Sequence, residues 1–260
     1  QWTIIQFILL IVGIAATARL YLLFRRRDPL ERAAERAGLT DDADVDAGGT
    51  LARFVREGSR VVVAVVTDGD AGGSDQDLHQ QMGELRRDEQ RRACEQLGVT
   101  ELVFFDGYPD GMVTPSHGLV RDIVALIRRV KPNLILTLSP EYNWSSIYAN
   151  HPDHRAVGAA VTDAVYPAAR NPFAFPELLE EGLEPHVVEE VWFQGGPSTN
   201  HVVELDRSDV DAKVRAVREH ATQFDDLDRM ESWIRQSTHD AGSPHGYAGG
   251  EEFFRWDTRG

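Results

Sequence analysis

Arg60–Thr67 reads RVVVAVVT, and Asp68–Asp77, DGDAGGSDQD, follows it directly. An unbroken β-branched run without polar alternation is the pattern of a strand covered on both faces. The Gly/Asp-rich run after it has the composition of a loop. Downstream, Gln80–Gln96 has amphipathic helical spacing and stops at Gly98, a C-cap residue. Glu101–Phe105 reads as a strand, Leu119–Val130 as a helix stopped by Pro132, Leu134–Ser139 as a strand and Pro152–Val165 as a helix. Gly49–Glu57 reads as a short helix before the first strand. Val188–Gln194 and His201–Leu205 are late strands, and Ser208–Gln223 a late helix. Alternating strands and helices imply an α/β domain in three layers, a mostly parallel sheet covered by helices on both faces. Such sheets bind ligands beyond the carboxyl ends of their strands. The loops beginning at Asp68, Asp106 and Ser139 are therefore expected on one rim.

The chain has 260 residues, a formal charge of −15 and a single cysteine, Cys94. One cysteine excludes an intrachain disulfide and a cysteine-rich metal site, so a metal would need His and carboxylate ligands. The acidic balance argues against a nucleic-acid partner, which calls for a basic face. Thr3–Ala18, TIIQFILLIVGIAATA, continues as LYLLF after Arg19 and ends on Arg25, Arg26 and Arg27. As a helix, Trp2–Phe24 would be roughly 34 Å long, enough to span a bilayer. The arginines after it predict that the rest of the chain faces the cytoplasm. The expected organisation is a membrane anchor at 1–27, a charged linker at 28–40, the α/β domain at 41–236 and a polar, Gly-rich tail at 237–260.

Four groups of residues could carry chemistry. His151-Pro152-Asp153-His154 follows a strand and a loop and opens a helix, so its histidines can share one side of the first turn as metal ligands or as acid and base. Asp41-Asp42 is a carboxylate pair suited to a hydrolytic metal site, one group binding and the other taking a proton; such runs also serve as solvated loops or caps. Arg86, beside Glu89 on the long helix, and Asp110, in the turn Tyr108–Gly111, are further candidates, although surface ion pairing and turn capping are the commoner explanations of such residues.

Taken in order, Gly48–Gly73, RRDEQRRACEQLG (Arg86–Gly98), FFDGYPDG (Phe104–Gly111), IRRVKPNLILT (Ile127–Thr137), HPDHRAVGAAVTDAVYPAAR (His151–Arg170), VEEVWFQGG (Val188–Gly196) and KVRAVREHATQF (Lys213–Phe224) resemble the LmbE/PIG-L family of zinc-dependent N-acetylglucosaminyl deacetylases. The resemblance runs roughly from Asp41 to Trp233. It implies a Rossmann-like fold and a mononuclear zinc hydrolase that removes an acetyl group from an N-acetylglucosamine-type amide, with an amino-sugar conjugate or a glycolipid as substrate. It also implies Asp41 as general base, Asp42 and His154 as zinc ligands, His151 as catalytic acid or oxyanion stabiliser, and Arg86 and Asp110 as sugar contacts. A His/carboxylate site accepts other divalent ions as well.

One departure stands out. Where the family motif begins His-Pro, this chain has Leu39-Thr40, and the apolar strand expected before it is ERAAERAG (Glu31–Gly38). One metal ligand is thereby missing, with His79 or Asp44 as candidate substitutes. The alternative implied is a catalytically impaired, membrane-tethered carbohydrate-binding pseudoenzyme, or an N-terminal stretch foreign to the domain. A plain nucleotide-binding Rossmann domain is a poor third reading, because the spacing of Gly69, Gly72 and Gly73 does not match Gly-x-Gly-x-x-Gly.

Overall fold

A computed structural model describes residues 43–69, 81–224 and 226–259. Its elements in chain order are α1 (Ala43–Arg56), β1 (Val62–Val65), α2 (Met82–Leu97), β2 (Glu101–Phe104), α3 (His117–Val130), β3 (Leu134–Leu138), α4 (Pro152–Asp163), α5 (Pro176–Glu180), β4 (Glu190–Gln194), β5 (His201–Leu205), α6 (Arg207–Arg218), α7 (Leu227–Gly242) and β6 (Gly249–Asp257).

Local chemistry sets the ends of the helices. Ser116 caps α3 by accepting the Leu119 N–H at 3.2 Å. Gly98 closes α2 at φ 77°, a left-handed conformation in which a residue with a Cβ is strained. Along α3, Leu119, Val120, Ile123, Val124 and Ile127 recur at helical spacing and are all buried. Fully burying a side chain such as Leu119 stabilises by about 1.5–3 kcal/mol.

The strands hydrogen-bond as two sheets, β1-β2 and β3-β4-β6-β5. β1 and β2 are parallel, with Val62 opposite Glu101. β3 and β4 are parallel, with Leu134 opposite Glu190. β6 runs antiparallel to both of its neighbours, Phe193 facing Phe254 on one side and Val203 facing Glu251 on the other. The period of two along β4 separates the layers. Val191 and Phe193 join the core built by α3 and α4. Trp192 joins the opposite core with Leu51 of α1, Leu97 of α2 and Ala216 of α6. A third cluster, Val45, Val214, Val217, Met230 and Ile234, seats α7 on α1 and α6.

One buried polar knot crosses these layers. Glu251 of β6 accepts the Lys213 ammonium at 2.6 Å, the Thr50 hydroxyl at 2.5 Å and the backbone N–H groups of Gly49 and Thr50 at 3.0 and 2.7 Å. Burying the pair is tolerable because nearly every lone pair of the carboxylate is engaged.

The structure corrects the expected fold class on two counts. The four-stranded sheet is mixed rather than mostly parallel, because β6 inserts antiparallel between β4 and β5. Among the described residues no helix is long and apolar enough to cross a membrane, so the transmembrane-like helix is not part of the described fold; Trp2–Phe24 and the linker at 28–40 lie outside those residues. The segment read as a polar tail instead completes α7 and supplies β6. Among the described residues α1, Ala43–Arg56, takes in the run that carries Asp44 and Asp46.

Candidate active site

The site is organised around the start of α4. Pro152 occupies the first helical turn, where its fixed φ suits the helix and its missing N–H costs nothing. His151, just outside the helix, has extended backbone (φ −52°, ψ 131°), while His154 lies within the first turn. The two imidazoles come together with ring centroids 5.0 Å apart, inclined at 52°. His154 is buried and His151 half-buried. Burial, reinforced by His151, pushes the His154 imidazole down to about 4, so that it is neutral at physiological pH.

Three contacts fix this start. Gly158, one turn further along α4, packs against the end of β3: a Cβ there would collide with the Leu138 carbonyl oxygen and stand 3.0 Å from the Pro140 nitrogen. Asn150, immediately before His151, donates through Nδ2 to the carbonyls of Asn143 and Ser146 at 2.7 and 2.6 Å, and its Oδ1 accepts the Asn143 N–H at 2.8 Å. Asp153, wholly buried, accepts the N–H groups of Gly111 and Val113 at 2.6 and 3.0 Å.

The last contact brings the turn that carries Asp110 to the histidine pair. The other end of that turn is held by Tyr108, whose hydroxyl donates to Asp122 at 2.7 Å. Burial, together with this carboxylate, pushes the Tyr108 phenol up to about 12. Asp68, after β1, and Asp106, after β2, are joined at the same rim by Arg87, at 2.6 and 3.1 Å. Arg86, next to it in α2, is buried. The structure thus ties the turn that carries Asp110 to the start of α4, where His151 and His154 lie, with Arg86 on the helix that borders the rim. Asp41, Asp42, Leu39, Thr40 and His79 lie outside the described residues.

Sequence reasoning assigned Asp153 no role of its own. An acid in the first turn of a helix suits the helix dipole, which gave no hint of a tie to amides some 40 residues upstream.

The donor set can be tested for a metal. Neutral imidazole is a good ligand for a divalent cation. His154 is held neutral, and His151 Nδ1 is buried with no hydrogen-bond partner among the described residues. His154 therefore fits as one nitrogen ligand, with the His151 imidazole beside it. Among the described residues no third His, Cys, Asp or Glu joins them, so a complete site needs a donor from elsewhere in the chain.

Comparison with known proteins gives the family. Residues 40–165 match the family model PIG-L, GlcNAc-PI de-N-acetylase. Diacetylchitobiose deacetylase of Thermococcus kodakarensis is 34% identical over 195 residues, covering 74% of this chain and 70% of the relative. The 1D-myo-inositol 2-acetamido-2-deoxy-alpha-D-glucopyranoside deacetylase of Rhodococcus erythropolis is 30% identical over 234 residues, covering 70% and 78%. The solved structure of N,N'-diacetylchitobiose deacetylase from Pyrococcus horikoshii superposes with a TM-score of 0.75 at 25% identity, covering 84% of this chain and 80% of that one. With ordered sequence blocks, a matching family model and this shared architecture, the chain belongs to the PIG-L family of de-N-acetylases.

Proposed function

We propose that this protein is a metal-dependent deacetylase that hydrolyses the acetamide of an N-acetylglucosamine-type conjugate. The observation that carries the reading is the buried, neutral His154 beside His151 at the start of α4, on the rim where parallel strands end. The names of its relatives, which act on diacetylchitobiose and on an inositol glycoside of the acetamido sugar, support the substrate class.

In this reading His154 and Asp42 hold the cation, zinc being the ion that suits imidazole and carboxylate together. When bound, such a cation supplies Lewis-acid polarisation of the amide carbonyl and lowers the pKa of a water. The Asp41 carboxylate takes the proton of the attacking water. The His151 imidazole stabilises the oxyanion that develops on the carbonyl oxygen. Arg86 and Asp110 orient the sugar, and the tie from Asp153 to Gly111 keeps Asp110 in register with the histidines. The amine leaves protonated.

A second reading, an impaired enzyme that keeps a sugar pocket, is favoured by one observation: Leu39 stands where the family has its first histidine. Elemental analysis of the purified protein, with acetate release from N,N'-diacetylchitobiose, separates the two. Bound metal and acetate release, both lost in His154→Ala, support the active reading. Absence of both in the unmodified protein, with both gained in a Leu39→His/Thr40→Pro variant, would establish the impaired one.

A further inference from the structure

The loop between β3 and α4 carries an aromatic stack that the chemistry above does not use. The rings of Tyr142 and Trp144 lie 5.1 Å apart at 10°, close to parallel. The Arg155 guanidinium sits 3.8 Å above the Tyr142 ring. Arg155 belongs to the first turn of α4, and its N–H donates to the His151 carbonyl at 3.2 Å. Trp144 is nevertheless 87% exposed and Ile147, in the same loop, 78%.

Exposed indoles on loops are usually mobile, but this loop is tied down. Besides the Asn143–Asn150 exchange, Asn143 Nδ2 donates to the carbonyls of Gly195 and Gly196 at 3.2 and 2.9 Å, beyond the end of β4. Its Oδ1 accepts the Ser145 N–H at 3.1 Å. An aromatic pair held this way presents a flat face to solvent at little further loss of conformational freedom. The π face is electron-rich, and a pyranose ring offers it a patch of polarised C–H groups, its hydroxyls pointing outward to water. A hydrocarbon chain has no such match to a single flat ring.

We propose that Trp144, backed by Tyr142 and Arg155, is a stacking platform for a second sugar ring, one joined through the glycosidic bond to the acetamido sugar whose amide is cleaved. This rests on the deacetylase reading and extends it: the enzyme selects a disaccharide-like conjugate over the free monosaccharide. Trp144 is a specificity residue in this scheme and takes no part in bond breaking.

The test compares the full-length protein with Trp144→Ala and Trp144→Phe, using N,N'-diacetylchitobiose and N-acetylglucosamine as paired substrates. The ratio of kcat/KM for disaccharide over monosaccharide should fall about tenfold in Trp144→Ala, corresponding to about 1.4 kcal/mol, and should largely recover in Trp144→Phe. An unchanged ratio overturns the platform. So does a ratio that falls only when an octyl glycoside of N-acetylglucosamine replaces the disaccharide, which would assign the indole to an apolar aglycone. Calorimetric titration with the same two sugars gives a second readout. If the unmodified protein releases no acetate, the deacetylase reading fails, while tighter binding of the disaccharide that is lost in Trp144→Ala still upholds the platform, and equal binding of both sugars overturns it.

Discussion

Asp153 accepts the Gly111 backbone N–H at 2.6 Å, joining the turn after β2 to the first turn of α4 across 42 positions of sequence. A second bond to Val113 makes the carboxylate a two-pronged clamp, wholly out of solvent. In Asp153→Asn an NH₂ group would face one of those donors, leaving two N–H groups to compete for one oxygen. We expect a loss of about 1–3 kcal/mol, read from the denaturant midpoint. Acetate release should fall by more than stability alone explains, because Asp110 loses its register with the histidines. Retention of full activity in a folded variant would show that the clamp does not position the site.

Gly158 allows α4 to lie directly on the end of β3. In Gly158→Ala the new methyl meets the Leu138 carbonyl, which is backbone and cannot swing away. We expect about 1–3 kcal/mol of destabilisation, visible as a lower Tm, despite the gain in helix propensity that the same change brings at an open position.

The Lys213–Glu251 pair is nearly inaccessible and hydrogen-bonded on both sides. Glu251→Gln should cost about 3–5 kcal/mol, because the Lys213 ammonium stays buried without its counter-charge. Lys213→Met combined with Glu251→Met should recover a large part of that loss in thermal unfolding. A double variant no better than the single would place the stabilisation in the bonds to Gly49 and Thr50.

Asp46 gives a pH signature. Burial, opposed by the Lys213 charge and reinforced by Glu251, pushes its carboxyl up to about 6. A folded-state pKa above the unfolded value means that the contribution is complete below about pH 4 and is lost as pH rises through about 6. The change amounts to at most about 3 kcal/mol. Asp46→Asn should therefore gain on the unmodified protein between pH 4 and 7, the difference in urea midpoints widening upward. A constant difference would show that Asp46 titrates normally.

The sequence made β1, α2, α3, β3, α4 and β5 legible because their signals are local: β-branched runs, a Gly98 cap and helical spacing on α3. The sequence predicts a helix only over Gly49–Glu57, and Gly48-Gly49 in a helix interior ordinarily opposes a longer one. The reason for those glycines is distant. A Cβ on Gly49 would run into Leu205 and one on Gly48 would press on Lys213. β6 was hidden for a similar reason. Gly249–Asp257 reads GGEEFFRWD, and its buried Glu251 belongs in a core only because Lys213 and Thr50 meet it there. At the site, the histidine pair announced itself through its spacing and its place before a helix. The clamp made by Asp153 depends on partners that no local pattern marks.

The antiparallel placement of β6 has a consequence for the order of assembly. β5 hydrogen-bonds to no strand except β6 among the described residues, and Lys213 reaches its counter-charge only through that strand. On a ribosome adding about 5–20 residues per second, β5 and α6 emerge on the order of a few seconds before residues 249–257 arrive. During that interval β5 has a bare edge open to other chains, and one cation of the future core is still hydrated. The sheet closes as a late event, like a buckle fastened after the belt is on, so nascent chains stalled before Gly249 should be the ones that chaperones hold.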